Sequence, residues 1–184
     1  YETVISFSLG TIIGTVIATV LWWNNTIAKI LDPYLTILNS LPKVAMGPII
    51  IIWVGAGIKS IILMALLIST IITIINVYQG FIETDPLKIK LMKSFKATKS
   101  QLYTKLIIPS SLSNIISALK INVSMSLIGV IMGELLVSKE GLGYLINYGS
   151  QVFNLNLVMT GIILIMLISF IIYEIINLTL KTSN

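Results

Sequence analysis

No cysteine, no histidine and no arginine occur among the 184 residues of this chain. Disulfides, thiolate or imidazole metal sites and histidine-based acid–base chemistry are therefore excluded. Charge is scarce as well: 10% of residues are charged, where a soluble domain carries about 25%. The net charge of +5, from 12 lysines against 7 acids, is too small an excess to suggest nucleic-acid binding.

Apolar residues are abundant instead. The hydrophobic fraction is 56% and the mean hydropathy +1.00. A chain this short cannot hide so much apolar surface in water, so lipid is the solvent for much of it. The class expected is all-α, a multi-pass transmembrane helical bundle forming a single domain over 1–184. The chain opens Tyr1-Glu2-Thr3-Val4, without an initiator Met or a charged region before the first apolar run, and so reads as a piece of a longer protein.

A helix needs about 20 apolar residues to cross a bilayer, and about five such spans are expected. The first, 4–23, is uncharged and ends in Trp22-Trp23, suited to the headgroup boundary. The second, 41–58, is short and interrupted by Pro42, Gly47 and Pro48, which are expected to kink or shorten it. The third is 60–82. The fourth, 110–137, carries Lys120 near its start and Glu134 near its end. The fifth is 155–180, with Glu174 near its end. Small residues recur every four positions at Ser6, Gly10, Gly14 and Ala18, and again at Gly129 and Gly133, a pattern of close helix packing. Asn76 and Asn122 read as interhelical hydrogen bonders, and Trp22, Trp23, Tyr144 and Tyr148 as interfacial aromatics.

The longest polar stretch, 83–105, contains Lys88, Lys90, Lys93, Lys96, Lys99 and Lys105. Basic loops stay on the cytoplasmic side. Five alternating spans then place the N-terminus outside and the C-terminus inside, with Lys29, Lys43, Lys120 and Lys181 also inside and only Lys59 and Lys139 outside. Within the loop, Asp85-Pro86 is a helix start, a capping carboxylate followed by the residue favoured at the first helical position. A helix from Pro86 to about Phe95 would align Leu87, Leu91 and Phe95 on one face. A turn over 96–99 follows. Thr98 with Gln101 fits a capping box opening a second short helix over 99–107, which Pro109 is expected to end. Such a helix–turn–helix suits docking of a peripheral partner, although lysines alone also serve topology and anionic lipid.

Three features bear on a translocation path or gate. Ser113, Ser117, Lys120 and Ser124 form one polar stripe on the fourth span, either lining water or bonding between helices. Glu134 is an acid at membrane depth, open to a gating or structural role, to hydration at the interface, or to pairing with Lys139. Irregular backbone at Pro42 and Pro48 is a third gate candidate.

Several strings then resemble a known family. Met92-Lys93-Ser94-Phe95-Lys96-Ala97-Thr98-Lys99-Ser100-Gln101-Leu102, followed by Leu106-Ile107-Ile108-Pro109, resembles the coupling loop of inner-membrane permeases of binding-protein-dependent ABC importers, with a MetI-like fold. Leu41-Pro42-Lys43-Val44-Ala45-Met46-Gly47-Pro48 with Ile52-Trp53-Val54-Gly55-Ala56-Gly57 resembles the nitrate/sulfonate/taurine branch, as does Gly133-Glu134-Leu135-Leu136 before Gly141-Leu142-Gly143-Tyr144. The resemblance implies a second permease copy, two cytoplasmic ATP-binding subunits and an extracytoplasmic substrate-binding protein, in a bacterial cell membrane. By position it implies docking through Met92, Phe95, Lys96, Ala97 and Thr98. Lys96 stands where that family usually has glycine, so Lys96 must point outward or the partner's groove must differ. No Walker-type Gly-x-x-x-x-Gly-Lys-Ser/Thr occurs; ATP and Mg are expected on the partner ATPase, with no cofactor on this chain and no enzymatic activity of its own. The solutes implied are nitrate, sulfonates, taurine or thiamine-precursor pyrimidines, delivered near 139–154. Two other classes remain open beside this one: an ion-coupled secondary transporter or channel, and a non-transporting membrane scaffold.

Overall fold

The computed structural model describes residues 1–181, and the side chains of all of these except 44 and 179–181; the Lys181 side chain assigned to the inner face lies outside them. All regular structure in the described residues is helical. Four helices are long and apolar enough to cross a membrane: α1 (Glu2–Trp23), α4 (Ile58–Ile82), α8 (Leu112–Val137) and α10 (Leu155–Lys181).

Small residues set their arrangement. A Cβ at Gly10 would meet Ser69, and one at Gly14 would meet Thr73, so α1 and α4 run parallel at close range. A Cβ at Gly129 would lie 2.5 Å from the Ala65 Cα, and one at Gly133 2.9 Å from the Ile61 Cα, so α8 runs antiparallel to α4. Backbones approach this closely only where the side chain is absent. Asn122 of α8 donates to Thr11 Oγ1 of α1 at 2.7 Å, an interhelical bond as expected. Asn76 differs, donating to Ile72 O of its own helix.

Parallel packing of α1 and α4 requires 24–57 to return across the bundle, and here the expected span 41–58 is corrected. That segment is not one helix. The return begins with α2 (Asn25–Ser40), whose 16 residues rise about 24 Å. Asn24 caps it, accepting from Thr26 and Ile27 N–H. Leu41, before Pro42, is extended, as residues before proline prefer. A 3₁₀ turn (Lys43–Met46) follows, then α3 (Gly47–Val54), only about 12 Å long, with Pro48 in its first turn. Gly55 and Gly57, at φ 87° and 140°, end it. Pro42 therefore interrupts the return and Pro48 opens a helix within it. The apolar residues of α2 at 27, 30, 31, 34, 37 and 38 are exposed, an outward-facing stripe suited to lipid rather than to a core.

One end of the bundle carries the lysine-rich loop, at the C-terminal ends of α1 and α4 and the start of α8. It holds α5 (Pro86–Ser94), α6 (Lys99–Leu102), a π turn (Tyr103–Ile107) and α7 (Ile108–Ser110). The expectation that Pro109 ends the second helix is corrected: the chain stays helical through Pro109 and breaks at Ser111. The wider π turn just before Pro109 relieves the clash that its ring would make with the preceding turn. Ser111 is buried and donates to Gly80 O of α4 at 2.8 Å, fixing where α8 begins. The opposite end holds α9 (Leu142–Gln151), lying between α8 and α10.

Candidate functional site: the lysine-rich loop and the α8 face

The loop is built from local capping. Asp85 is the N-cap of α5, accepting from the Leu87 N–H at 2.8 Å, with Pro86 at the first helical position. At the other end of α5, the Ala97 N–H bonds to Met92 O at 3.1 Å and the Lys96 N–H to Lys93 O at 2.9 Å. These two bonds, with Lys96 at φ 55°, make a complete Schellman turn. Lys96 thus occupies the left-handed position that favours glycine, and its side chain is exposed, pointing outward. Thr98 then opens α6 with a reciprocal capping box, its N–H donating to Gln101 Oε1 at 2.9 Å.

The two faces of α5 differ. Met92 and Ile89 pack against the buried cluster that includes Phe81, Leu102 and Ile107. Leu87, Leu91 and Phe95 face away and stay 71%, 57% and 73% exposed. A helix tied down on one side therefore presents three large apolar side chains on the other, among exposed lysines 88, 90, 93 and 96. Ala97 is half-buried beneath the turn.

On α8, Ser113, Ser117 and Ser124 are exposed, Ser124 at a narrow cleft against Ser169 and Tyr173 of α10, while Ser117 and Ser124 satisfy their hydroxyls on carbonyls one turn earlier. Lys120 lines the same cleft and leans onto α10, donating to Asn177 Oδ1 at 2.9 Å and standing 5.7 Å from the Tyr173 ring.

Glu134 does not pair with Lys139. Its carboxylate accepts the Gly143 N–H at 2.7 Å and so caps the N-terminus of α9. A Cβ on Gly141, at φ 99°, would stand 2.4 Å from that carboxylate, so the tight approach depends on glycine. Glu134 also borders an open cleft of about 800 Å³ with Ile61, Val130 and Gly57. Gly47, next to Pro48, lies against Leu136 and Met64 near the same end. Sequence reasoning missed α9 and the amphipathic α2, although residues 27, 30, 31, 34, 37, 38 and 41 carry the helical period. Trp22, expected at the interface, has its ring 5.0 Å from that of Tyr103, a partner the sequence did not indicate.

Four long apolar helices, a return segment broken by proline and a capped polar loop at one end define a helical bundle of the membrane-embedded class. The chain belongs to the family described as binding-protein-dependent transport system inner membrane component, whose pattern matches residues 10–181. It is 31% identical over 140 residues to the formylaminopyrimidine transport permease protein ThiX of Halalkalibacterium halodurans, covering 76% of this chain and 56% of that one. It is 30% identical over 172 residues to a probable ABC transporter permease protein of Haemophilus influenzae, covering 94% and 70%. With the putative aliphatic sulfonates transport permease protein SsuC of Bacillus subtilis it shares 28% over 164 residues, 89% and 59% of the two chains. The chain thus spans between about half and 70% of these relatives. A chain of the MetNI methionine ABC transporter, solved in inward-facing conformations, superposes with a TM-score of 0.83 at 19% identity, over all of this chain and 91% of that one. This likeness shows the fold.

Proposed function

We propose that this chain is the permease subunit of an ABC importer, with residues 83–111 docking a cytoplasmic ATP-binding subunit. The observation that carries the reading is α5: anchored through Ile89 and Met92, stopped by a Schellman turn at Lys96, it offers Leu87, Leu91 and Phe95 to a partner. Burying three such side chains contributes several kcal/mol, at about 1.5–3 kcal/mol each. The lysine-rich end is then cytoplasmic, in keeping with the positive-inside rule. Two permease copies work with two ATP-binding subunits, which carry the ATP and Mg, and with a substrate-binding protein on the opposite side. The permease itself catalyses nothing. Ser117, exposed on α8, and the cleft that Lys120 and Ser124 share with α10 line the path, with Lys120 at its inner part. Glu134 and the Pro42–Pro48 return segment border the outer mouth. ATP shifts access by binding one conformation better than the other. The solute is small and polar, of the sulfonate, taurine, nitrate or pyrimidine-precursor type; relatives named for formylaminopyrimidine and for aliphatic sulfonates support that range.

The test is co-purification, in mild detergent, with the ATPase subunit encoded beside this chain. The wild type is expected to retain it. Phe95→Glu, which changes only an exposed side chain, is expected to release it while eluting as a folded species. A well-folded wild type that retains no ATPase contradicts the reading and turns attention to ion-gradient-driven transport.

A further inference from the structure

Through the chain itself, the lysine-rich loop joins the bundle at α4 and at α8. A third connection is not covalent and reaches α1. Lys99, at the start of α6, donates from its ammonium to the carbonyl oxygen of Trp23, the last residue of α1 and 76 positions earlier. That carbonyl is among those a helix C-terminus leaves without an internal partner, and the helix dipole favours a cation there. The same ammonium stands 5.8 Å from the Trp22 ring and 5.6 Å from the Trp23 ring, within cation–π range. Tyr103, the first residue of the π turn, meets both indoles, tilted against Trp22 at 5.0 Å and edge-on to Trp23 at 6.0 Å, and its hydroxyl pairs with Thr19 Oγ1 at 2.7 Å. The last turn of α1 is therefore gripped at three residues by two side chains of the loop.

Lys99 differs in this from its neighbours. Lys88, Lys90, Lys93, Lys96 and Lys105 make no side-chain hydrogen bond or ring contact among the described residues, which suits a purely topological or lipid-facing role. Lys99 has a structural address. Without it, the loop would be held by its own ends at 83–85 and 110–111 and by apolar packing, that of α5 and that of Leu102 and Ile107 in the cluster they share with Ala18 of α1. Such packing is non-directional, and a push on α5 could be taken up by sliding of the loop.

We propose that Lys99 and Tyr103 clamp the loop to the end of α1, so that force applied to the exposed face of α5 moves α1 together with α4 and α8. Lys99 is a positioning residue of the transport cycle. The inference rests on the docking role proposed above, and its test separates the two.

The absence of cysteine allows spin labels at Ile12→Cys on α1 and Ile163→Cys on α10, both exposed and within the body of their helices. The permease–ATPase complex is placed in nanodiscs, and the label-to-label distance is measured by pulsed electron paramagnetic resonance with and without ATP and vanadate. The wild-type background is expected to show a nucleotide-dependent shift. Lys99→Met is expected to retain the ATPase to the same extent while at least halving the shift. Tyr103→Phe, which keeps the ring and loses the Thr19 bond, is expected to reduce it less. Lys99→Arg, able both to bond a carbonyl and to stack on indoles, is expected to preserve it. A full shift in Lys99→Met overturns the clamp, as does a wild type that holds its ATPase without any shift. A wild type that fails to hold its ATPase overturns the docking role itself, and the clamp with it.

Discussion

α4 and α10 are equally apolar, with mean hydropathies of 2.5 and 2.6 over their most apolar windows, yet 50% of that window is buried in α4 and 6% in α10. Hydropathy places both in lipid, and it does not say which stands at the centre of the bundle. What separates them is small residues in register. α4 sets Ser60, Ala65, Ser69, Thr73 and Gly80 along its length, and Gly10, Gly14, Gly129 and Gly133 of its neighbours come against it. In α10 the close approaches are to the short α9, Gly161 against Ile146 and Leu157 and Val158 against Gly149. In lipid an apolar face gains nothing by meeting another apolar face, so backbone approach decides the order of packing.

The largest break in this comparison is Gly129→Leu. Its first side-chain atom would collide with the Ala65 backbone, and overpacking costs about 1–3 kcal/mol, the upper end being expected where backbone rather than a side chain must yield. Loss of the monodisperse folded peak in detergent would show it. Met166→Leu on the exposed face of α10 is the matched control and is expected within about 0.5 kcal/mol of the parent. Between these extremes lie the helix ends. Glu134→Ala removes the cap of α9 and is expected to cost about 1–2 kcal/mol. Hydrogen exchange should then rise across 142–151 and leave α4 unchanged; equal exchange in both helices would mean that the carboxylate does not hold α9. Smaller, and opposite in sign, is Lys96→Gly. Relief of the left-handed residue is expected to stabilise the turn by up to about 1 kcal/mol, read as slower exchange of the Ala97 amide; faster exchange would contradict the Schellman assignment.

Much of this was legible in the sequence. The four long spans, the Asp85-Pro86 start, the Thr98–Gln101 capping box and the glycine seams are local patterns whose physics needs no partner. The return segment was misplaced because Pro33, Lys29 and Asp32 disguise α2 as a loop, while the apolar run 49–54 looks like part of a span. Proline inside a helix reads as a stop, yet Pro33 lies within α2 and Pro109 follows a π turn that gives it room. The partners of Lys120, Glu134 and Lys99 were not legible at all. Asn177 lies 57 residues from Lys120, and Trp23 lies 76 from Lys99, separations that no periodicity reports.

Two exposed apolar surfaces remain to be told apart by what covers them. α10 shows Met166, Leu167 and Phe170 along a helix of membrane-spanning length, whereas α5 shows Leu87, Leu91 and Phe95 on nine residues ringed by lysine. On the present account the first meets lipid and the second meets the ATPase. The direct measurement is photocrosslinking in intact cells with a benzophenone amino acid at Phe95 and, separately, at Met166. Crosslinking to the ATPase subunit from position 95 and not from 166 is the expected result. The opposite pattern, or no ATPase adduct from position 95 in a folded permease, would contradict the claim that this loop is where ATP hydrolysis is coupled to transport.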